Sequence, residues 1–89
     1  MLYVEAQEHY LRVVLTGGEH LVLHGLSNAV RELEAGGAAG MQVHRSYWVA
    51  WRHVERVVAD STGGYCELTG GLRIPVSRRR ARSVREAFD

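Results

Sequence analysis

Arginines are the residues of this chain whose type and spacing most clearly indicate chemistry. The 89-residue sequence has eleven basic residues, and all of them are arginine. No acidic residue lies between Glu67 and Glu86, whereas six arginines lie there: Arg73, Arg78, Arg79, Arg80, Arg82 and Arg85. Guanidinium groups form paired hydrogen bonds with phosphates and with the guanine edge. The run therefore predicts a surface for an anionic partner.

The net charge of +1 hides two halves of opposite sign. Residues 1–43 carry two arginines and five glutamates, a charge of −3, whereas residues 44–89 carry nine arginines and five acids, a charge of +4. Arg78, Arg79 and Arg80 would open a last helix, where the helix dipole disfavours each cation by about 0.3–1 kcal/mol. A bound anion would offset this cost, and solvated arginines on an exposed helix are the alternative.

Other site chemistries find little support in the sequence. His20 and His24 fall in a predicted strand, where residues four apart are ~13 Å from each other, too far to share a metal ion. Ser46 lies close to His44, but no third residue completes a catalytic triad. We therefore expect no metal site, no cofactor and no enzymatic activity. Aromatic residues could stack on single-stranded bases, although core packing is the preferred interpretation for Tyr47, Trp48 and Trp51.

Length and composition predict one small domain in a reducing compartment. A chain of 89 residues with 46% hydrophobic residues suits a single globular core. No apolar run approaches the ~20 residues of a membrane helix, and residues 1–10 have no signal-peptide pattern. The single cysteine, Cys66, allows no internal disulfide. These features predict a cytoplasmic location.

Short apolar segments separated by glycine pairs predict a mainly β fold. Alternation around Leu11 and Val13 indicates a strand, and Gly17-Gly18 indicates a hairpin turn. Seven extended segments are predicted, at 2–6, 9–15, 21–24, 41–44, 54–59, 65–69 and 72–76. Two short helices are predicted over 28–35 and from 78 to about 87, capped by Ser27 and Ser77. Pro75 predicts an edge strand. The expected core comprises Leu11, Val13, Leu33, Val43, Val54, Cys66, Leu68, Leu72, Ile74 and Val76.

Three stretches, in order, resemble a known family. They are Glu5-Ala6-x-x-His9-Tyr10 with the Gly17-Gly18 turn beyond it, His44-Arg45-Ser46-Tyr47, and Ile74-Pro75-Val76-Ser77-Arg78. Together they resemble the LytTR DNA-binding domain over nearly the whole chain. The resemblance implies an elongated arrangement of short antiparallel sheets with two short helices. It also predicts a single domain over 1–89 without the strand that usually precedes the "EA" motif.

The same resemblance implies how the chain would bind DNA. In the family, loops enter successive major grooves of double-stranded DNA, and the matching positions here are His9, Arg45 and Arg78. Both arginines can donate to guanine O6 and N7. We expect phosphate contacts from Arg79, Arg80 and Arg82.

The resemblance also indicates the setting of this activity. It implies the output module of a transcriptional regulator, joined to a receiver or membrane sensor domain that is not in this chain. We expect a monomer or weak dimer that binds tandem sites about one helical turn apart. RNA or single-strand binding, and an acidic protein partner for the arginine-rich C-terminal patch, are the alternatives.

Overall fold

The computed structural model describes residues 2–88, which form two antiparallel sheets and two α-helices. The strands are β1 (Tyr3–Ala6), β2 (Leu11–Leu15), β3 (Gly18–Val22), β4 (Gly40–His44), β5 (Tyr47–Ala50), β6 (Val54–Asp60), β7 (Gly63–Leu68) and β8 (Arg73–Val76). The helices are α1 (Leu26–Ala35) and α2 (Ala81–Phe88), with 3₁₀ turns at Trp51–His53 and Arg78–Arg80. The prediction of a mainly β fold with two short helices is confirmed.

The five-stranded sheet has the order β3-β2-β1-β5-β4. The β2–β3 hairpin turns at Thr16 and Gly17, as the glycine pair predicts. The central strand β1 pairs with β2 on one side and with β5 on the other, so that Glu5 lies opposite both Arg12 and Tyr47. Residues that are 42 positions apart in sequence therefore become neighbours across the sheet.

Each face of this sheet covers a different part of the core. On one face, Val4, Leu11 and Trp48 pack with Leu26 of α1. On the other face, Tyr3 and Val49 pack with residues of the second sheet and of α2. Because alternate side chains of a strand point to opposite faces, a strand covered on both faces is apolar at successive positions.

The three-stranded sheet has the order β6-β7-β8 and packs with α2 against the larger sheet. Cys66, Leu68, Ile74 and Val76 point inward and are buried, as predicted. Pro75 lies on the edge strand β8 with its side chain exposed, which confirms the edge placement. Gly64 has a positive φ, and a Cβ there would overlap the carbonyl oxygen of Val58, so the β6–β7 hairpin requires glycine at this position.

Several local predictions were wrong or incomplete. The third strand, predicted over 21–24, spans Gly18–Val22, and Val13 and Leu33 are only partly buried. Leu72 is exposed rather than buried, because the chain turns through Gly70 and Gly71 and the strand alternation begins only at Arg73. Helix α1 begins at Leu26, one residue before the predicted cap, Ser27.

The last helix and one strand also differ from prediction. Ser77 precedes a 3₁₀ turn and its hydroxyl caps no backbone N–H, so the arginines at 78–80 lie before α2 rather than in it. No strand was predicted for Tyr47–Ala50, because three successive buried residues in β5 hide the period of two. None of the helices within residues 2–88 is long and apolar enough to cross a membrane.

Candidate nucleic-acid interface

Three chain segments meet at one end of the domain. The loop 7–10 joins β1 to β2, the turn 45–46 joins β4 to β5, and 77–80 follows β8. The backbone N–H of Ala6 donates to the carbonyl of Ser46 (2.7 Å), and the N–H of Ser77 donates to the carbonyl of Val43 (3.0 Å). These two hydrogen bonds place the first loop and the last segment on either side of the β4–β5 turn.

The predicted base-reading residues lie on these three segments. His9 is exposed in the first loop, Arg45 is exposed at the tip of the turn, and Arg78 is exposed at the start of the last segment. Along the chain, each of these residues is more than thirty positions from the next. Only the pairing of strands brings their segments to one end of the domain. The structure therefore groups the three residues that the family motifs singled out separately.

Gln42 supports the turn that carries Arg45, and sequence reasoning did not identify it. Its side-chain amide lies 3.2 Å from the carbonyl oxygen of His44 and 3.4 Å from that of Arg45. The strand register shifts between Gln42 and His44, a β-bulge of the kind that redirects side chains near binding sites. Gln42 thus donates to two backbone carbonyls of the turn that carries Arg45.

His44 lies between the turn and the C-terminal arginines. Its Nδ1 accepts a hydrogen bond from the backbone N–H of Ser46 (3.1 Å), and its ring meets the Tyr47 ring edge-on at 5.7 Å. Partial burial, together with the positive charges of Arg45 and Arg80, lowers the pKa of His44 below its usual 6.5. A neutral His44 avoids a third positive charge beside Arg45 and Arg80.

This lowered pKa predicts a pH-dependent stability. Because the unfolded chain binds a proton on His44 more readily than the folded chain, the free energy of unfolding should fall as the pH is lowered through about 6.5. Urea denaturation of wild type and His44→Asn at several pH values measures this contribution. The asparagine oxygen can accept the Ser46 hydrogen bond without titrating, so the variant should lose less stability at low pH. Equal losses in both proteins would contradict the prediction.

A polar network behind the two loops links three strands. The hydroxyl of Tyr47 donates to Glu5 (2.8 Å), and the same carboxylate accepts from Arg12 Nε (3.1 Å). Burial and the hydrogen bond to Glu5 raise the pKa of Tyr47 to about 12, so its hydroxyl remains a donor. Glu5 belongs to the "EA" motif and Tyr47 to the His-Arg-Ser-Tyr motif. The network thus connects the strands that lead into the loops of His9 and Arg45.

The arginines divide into paired and unpaired groups. Arg12, Arg56, Arg73 and Arg82 each lie within 3.4 Å of a glutamate oxygen. Within residues 2–88, no acidic side chain forms an ion pair with any of the other candidate arginines, which are Arg45, Arg78, Arg79 and Arg80. In the described part of the chain, no carboxylate competes for these four guanidinium groups, which can therefore donate hydrogen bonds to an external anion.

Arg82 differs from the other candidates. Its Nε lies 3.0 Å from Glu86 Oε1 across one turn of α2, and both side chains are largely exposed. Exposed pairs of this kind contribute about 0.3–0.5 kcal/mol. A phosphate contact by Arg82 would have to displace this pairing or share the guanidinium with it.

The aromatic side chains are engaged in packing. Trp48 is fully buried, and Trp51 is partly buried with its ring centroid 6.0 Å from that of Phe88. The prediction that Trp48 belongs to the core is confirmed. Within residues 2–88, no group of three or more histidine, cysteine or acidic side chains could hold a metal ion.

Comparisons with known proteins agree on one family. The chain matches the LytTr DNA-binding domain family over residues 1–89. Its fold is similar to that of the LytTr DNA-binding domain of a Bacillus cereus protein described as a methyl-accepting/DNA response regulator. That match has a TM-score of 0.83 at 21% identity and covers 97% of this chain and 78% of that one. No curated protein sequence matches the chain.

Proposed function

The chain belongs to the LytTR family of DNA-binding domains, and we propose that it reads specific double-stranded DNA sequences as the output module of a transcriptional regulator. DNA binding itself follows from family membership. The proposal specifies which residues contact DNA bases, which contact the DNA phosphates, and how the binding sites are spaced on the DNA.

The observation that carries this proposal is the meeting of unpaired arginines at one end of the domain. Arg45 extends from the β4–β5 turn, and Arg78 extends from the segment after β8, which the hydrogen bond from Ser77 N–H to the Val43 carbonyl holds beside that hairpin. Neither guanidinium has a carboxylate partner within residues 2–88. A guanidinium in this position can donate two parallel hydrogen bonds to guanine O6 and N7 in the major groove.

The remaining candidates have supporting roles. His9 lies in the loop beside the Arg45 turn, from which it donates to a base edge or a phosphate. Arg79 and Arg80 contact phosphates and so fix the position of the domain on the duplex. Arg82 contributes less, because Glu86 already holds its guanidinium. With three loops at one end, the domain inserts into successive major grooves without a recognition helix.

The regulatory setting completes the proposal. The domain acts in the cytoplasm, where it is joined to a receiver or membrane sensor domain outside this chain. It is a monomer or weak dimer in solution and binds tandem sites about one helical turn apart. Sites with this spacing present the same face of the duplex to each copy.

Selection of duplexes from a random pool tests this function. The selected sequence should bind far more tightly than a scrambled duplex, by about 10³-fold or more at physiological salt, and than single-stranded DNA or RNA of the same sequence. Equal affinity for every duplex would contradict sequence reading. Preference for single strands or RNA would instead favour the alternative function, and an absence of nucleic-acid binding at low salt would favour an acidic protein partner.

Salt dependence should separate the phosphate contacts. Each phosphate contact contributes about 0.9 to the slope of log K against log salt. Arg79→Ala and Arg80→Ala should each lower that slope by about this amount and weaken binding to all duplexes alike. Arg82→Ala is the matched comparison and should lower it less, because part of the guanidinium charge is offset by Glu86. Unchanged slopes for Arg79→Ala and Arg80→Ala would contradict the assignment.

A further inference from the structure

A groove lies between helix α1 and the side of the five-stranded sheet that ends at β3. Its floor consists of four apolar side chains from β1, β2 and β3, which are Val4, Leu11, Val13 and Val22. The strand register pairs Val4 with Val13 and Leu11 with Val22, so all four lie on the same face of the sheet. Strand β3 is exposed along its whole length. The groove therefore opens to solvent at this edge of the sheet.

The wall and the size of the groove suit a small molecule. Ala29 and Leu33, about one turn apart on α1, form its apolar wall. The groove has a volume of about 270 Å³. A dry cavity of ~150 Å³ is large enough for benzene, and sites for drug-sized molecules measure about 300–1,000 Å³. The groove therefore has room for one ring with short substituents.

Two polar side chains complete the lining. They are His24, which precedes α1, and Glu32 of α1. His24 Nε2 is shielded from solvent and lies 3.4 Å from Glu32 Oε2, yet it forms no hydrogen bond within residues 2–88. The Glu32 side chain is 73% exposed, which places this polar pair at the solvent side of the groove. A buried polar nitrogen without a hydrogen bond is unfavourable, so a ligand atom that bonds to Nε2 would gain affinity.

The chemistry of this pair selects the polar group of the ligand. A hydroxyl group both donates and accepts, so it can bond to His24 Nε2 in either tautomer of the imidazole and can donate to the Glu32 carboxylate. A ligand carboxylate would instead meet the negative charge of Glu32. An ammonium group would lose its hydration against the apolar floor and wall. A neutral hydroxyl compound therefore fits best.

We infer that this groove binds a neutral small molecule with an apolar body of about one ring and a single hydroxyl group, the class to which small phenols belong. The ring packs between the sheet and α1, and the hydroxyl lies beside His24 and Glu32. None of the residues proposed to contact DNA lines the groove. Occupancy of the groove can therefore be measured without DNA.

Nuclear magnetic resonance titration of the 89-residue chain with p-cresol tests the site. The methyl signals of Val13, Val22 and Leu33 should shift and saturate, with a Kd of about 1 mM. Signals of Leu68 and Val84, which are buried in the other part of the core, should stay in place. Toluene, which has no hydroxyl, and 4-methylbenzoate, which is charged, should each bind about tenfold more weakly.

Two variants separate the shape of the site from its polar contact. Ala29→Leu fills the groove and should weaken p-cresol binding by about tenfold or more. Ala35→Leu is the matched control, since Ala35 is exposed at the end of the same helix and does not line the groove. His24→Phe keeps a ring but removes Nε2, so the preference for p-cresol over toluene should fall to about twofold or less. Circular dichroism verifies that each variant is folded.

Three results with p-cresol would overturn the inference. They are an absence of saturable shifts in the groove, equal affinity for p-cresol, toluene and 4-methylbenzoate, and unchanged binding by folded Ala29→Leu. Shifts of the same signals that depend on protein concentration alone would also overturn it, because a second copy of the chain would then occupy the groove. All of these measurements are made without DNA, so they leave the proposed function untouched.

Discussion

Arg45→Ala should weaken binding to the selected DNA site by about 1–3 kcal/mol, and Arg78→Ala should do the same. Each side chain extends from the end of the domain where the loop 7–10, the turn 45–46 and the segment 77–80 meet, and neither has a carboxylate partner in residues 2–88. Its hydrogen-bonding capacity is therefore available to a guanine. Loss of a base contact removes discrimination at particular base pairs. Affinity for a scrambled duplex should therefore change little.

Titration of single-base variants of the selected duplex measures this loss position by position. Arg45→Ala and Arg78→Ala should relax preference at different base pairs, because they lie on separate segments. Arg52→Ala is a suitable control, since Arg52 is exposed in the 3₁₀ turn after β5, at the opposite end of that strand from the turn 45–46. Wild-type binding by both Arg45→Ala and Arg78→Ala would show that the motif positions have no energetic role.

Trp48→Ala should destabilise the domain by about 3–5 kcal/mol. Trp48 is the largest fully buried side chain. It packs with Leu26 of α1, Val4 and Leu11 on the α1 face of the five-stranded sheet. Gly40 of β4 makes room for its ring, since a Cβ there would overlap Trp48. The stability of a small domain is only about 5–15 kcal/mol, so the variant should be largely unfolded or unfold at low urea.

Trp48→Phe keeps an aromatic ring in the core and removes the indole N–H. The indole Nε1 is buried without a hydrogen-bond partner within residues 2–88, so removing it leaves no unsatisfied group behind. Trp48→Phe should therefore cost less than Trp48→Ala. Urea denaturation followed by circular dichroism measures both variants, and an alanine variant as stable as wild type would contradict the core assignment.

Local features of the fold were predictable because they depend on neighbouring residues. Alternation and glycine pairs predicted most strands, and the edge position of Pro75 follows from its missing N–H. Leu72 was mispredicted because the alternation of Ile74 and Val76 was extended through a turn that Gly70 and Gly71 bend away from the core. Strand β5 was missed because burial on both faces removes the alternation on which strand prediction depends.

In the candidate site, too, features carried by short motifs were predictable and features that depend on strand pairing were not. Arg45 and Arg78 could be singled out because short motifs carry them, and the arginine cluster was visible from composition. Gln42 and the hydrogen bond of Tyr47 to Glu5 gave no local signal. The role of Gln42 depends on a β-bulge, and the Tyr47–Glu5 hydrogen bond depends on the pairing of strands 42 positions apart. A short stretch of sequence shows neither.

The sequence by itself determined the types of most elements, the charge of each half and the identity of the three motifs, because these are properties of single residues or short segments. Only the tertiary structure decided that the motif segments meet at one end. It also decided which arginines are neutralised, since Arg56 and Arg73 both meet Glu67 across neighbouring strands whereas Arg45 has no such partner in residues 2–88. Charge pairing acts over a few ångström in space, and sheet pairing sets those distances between residues far apart in the chain.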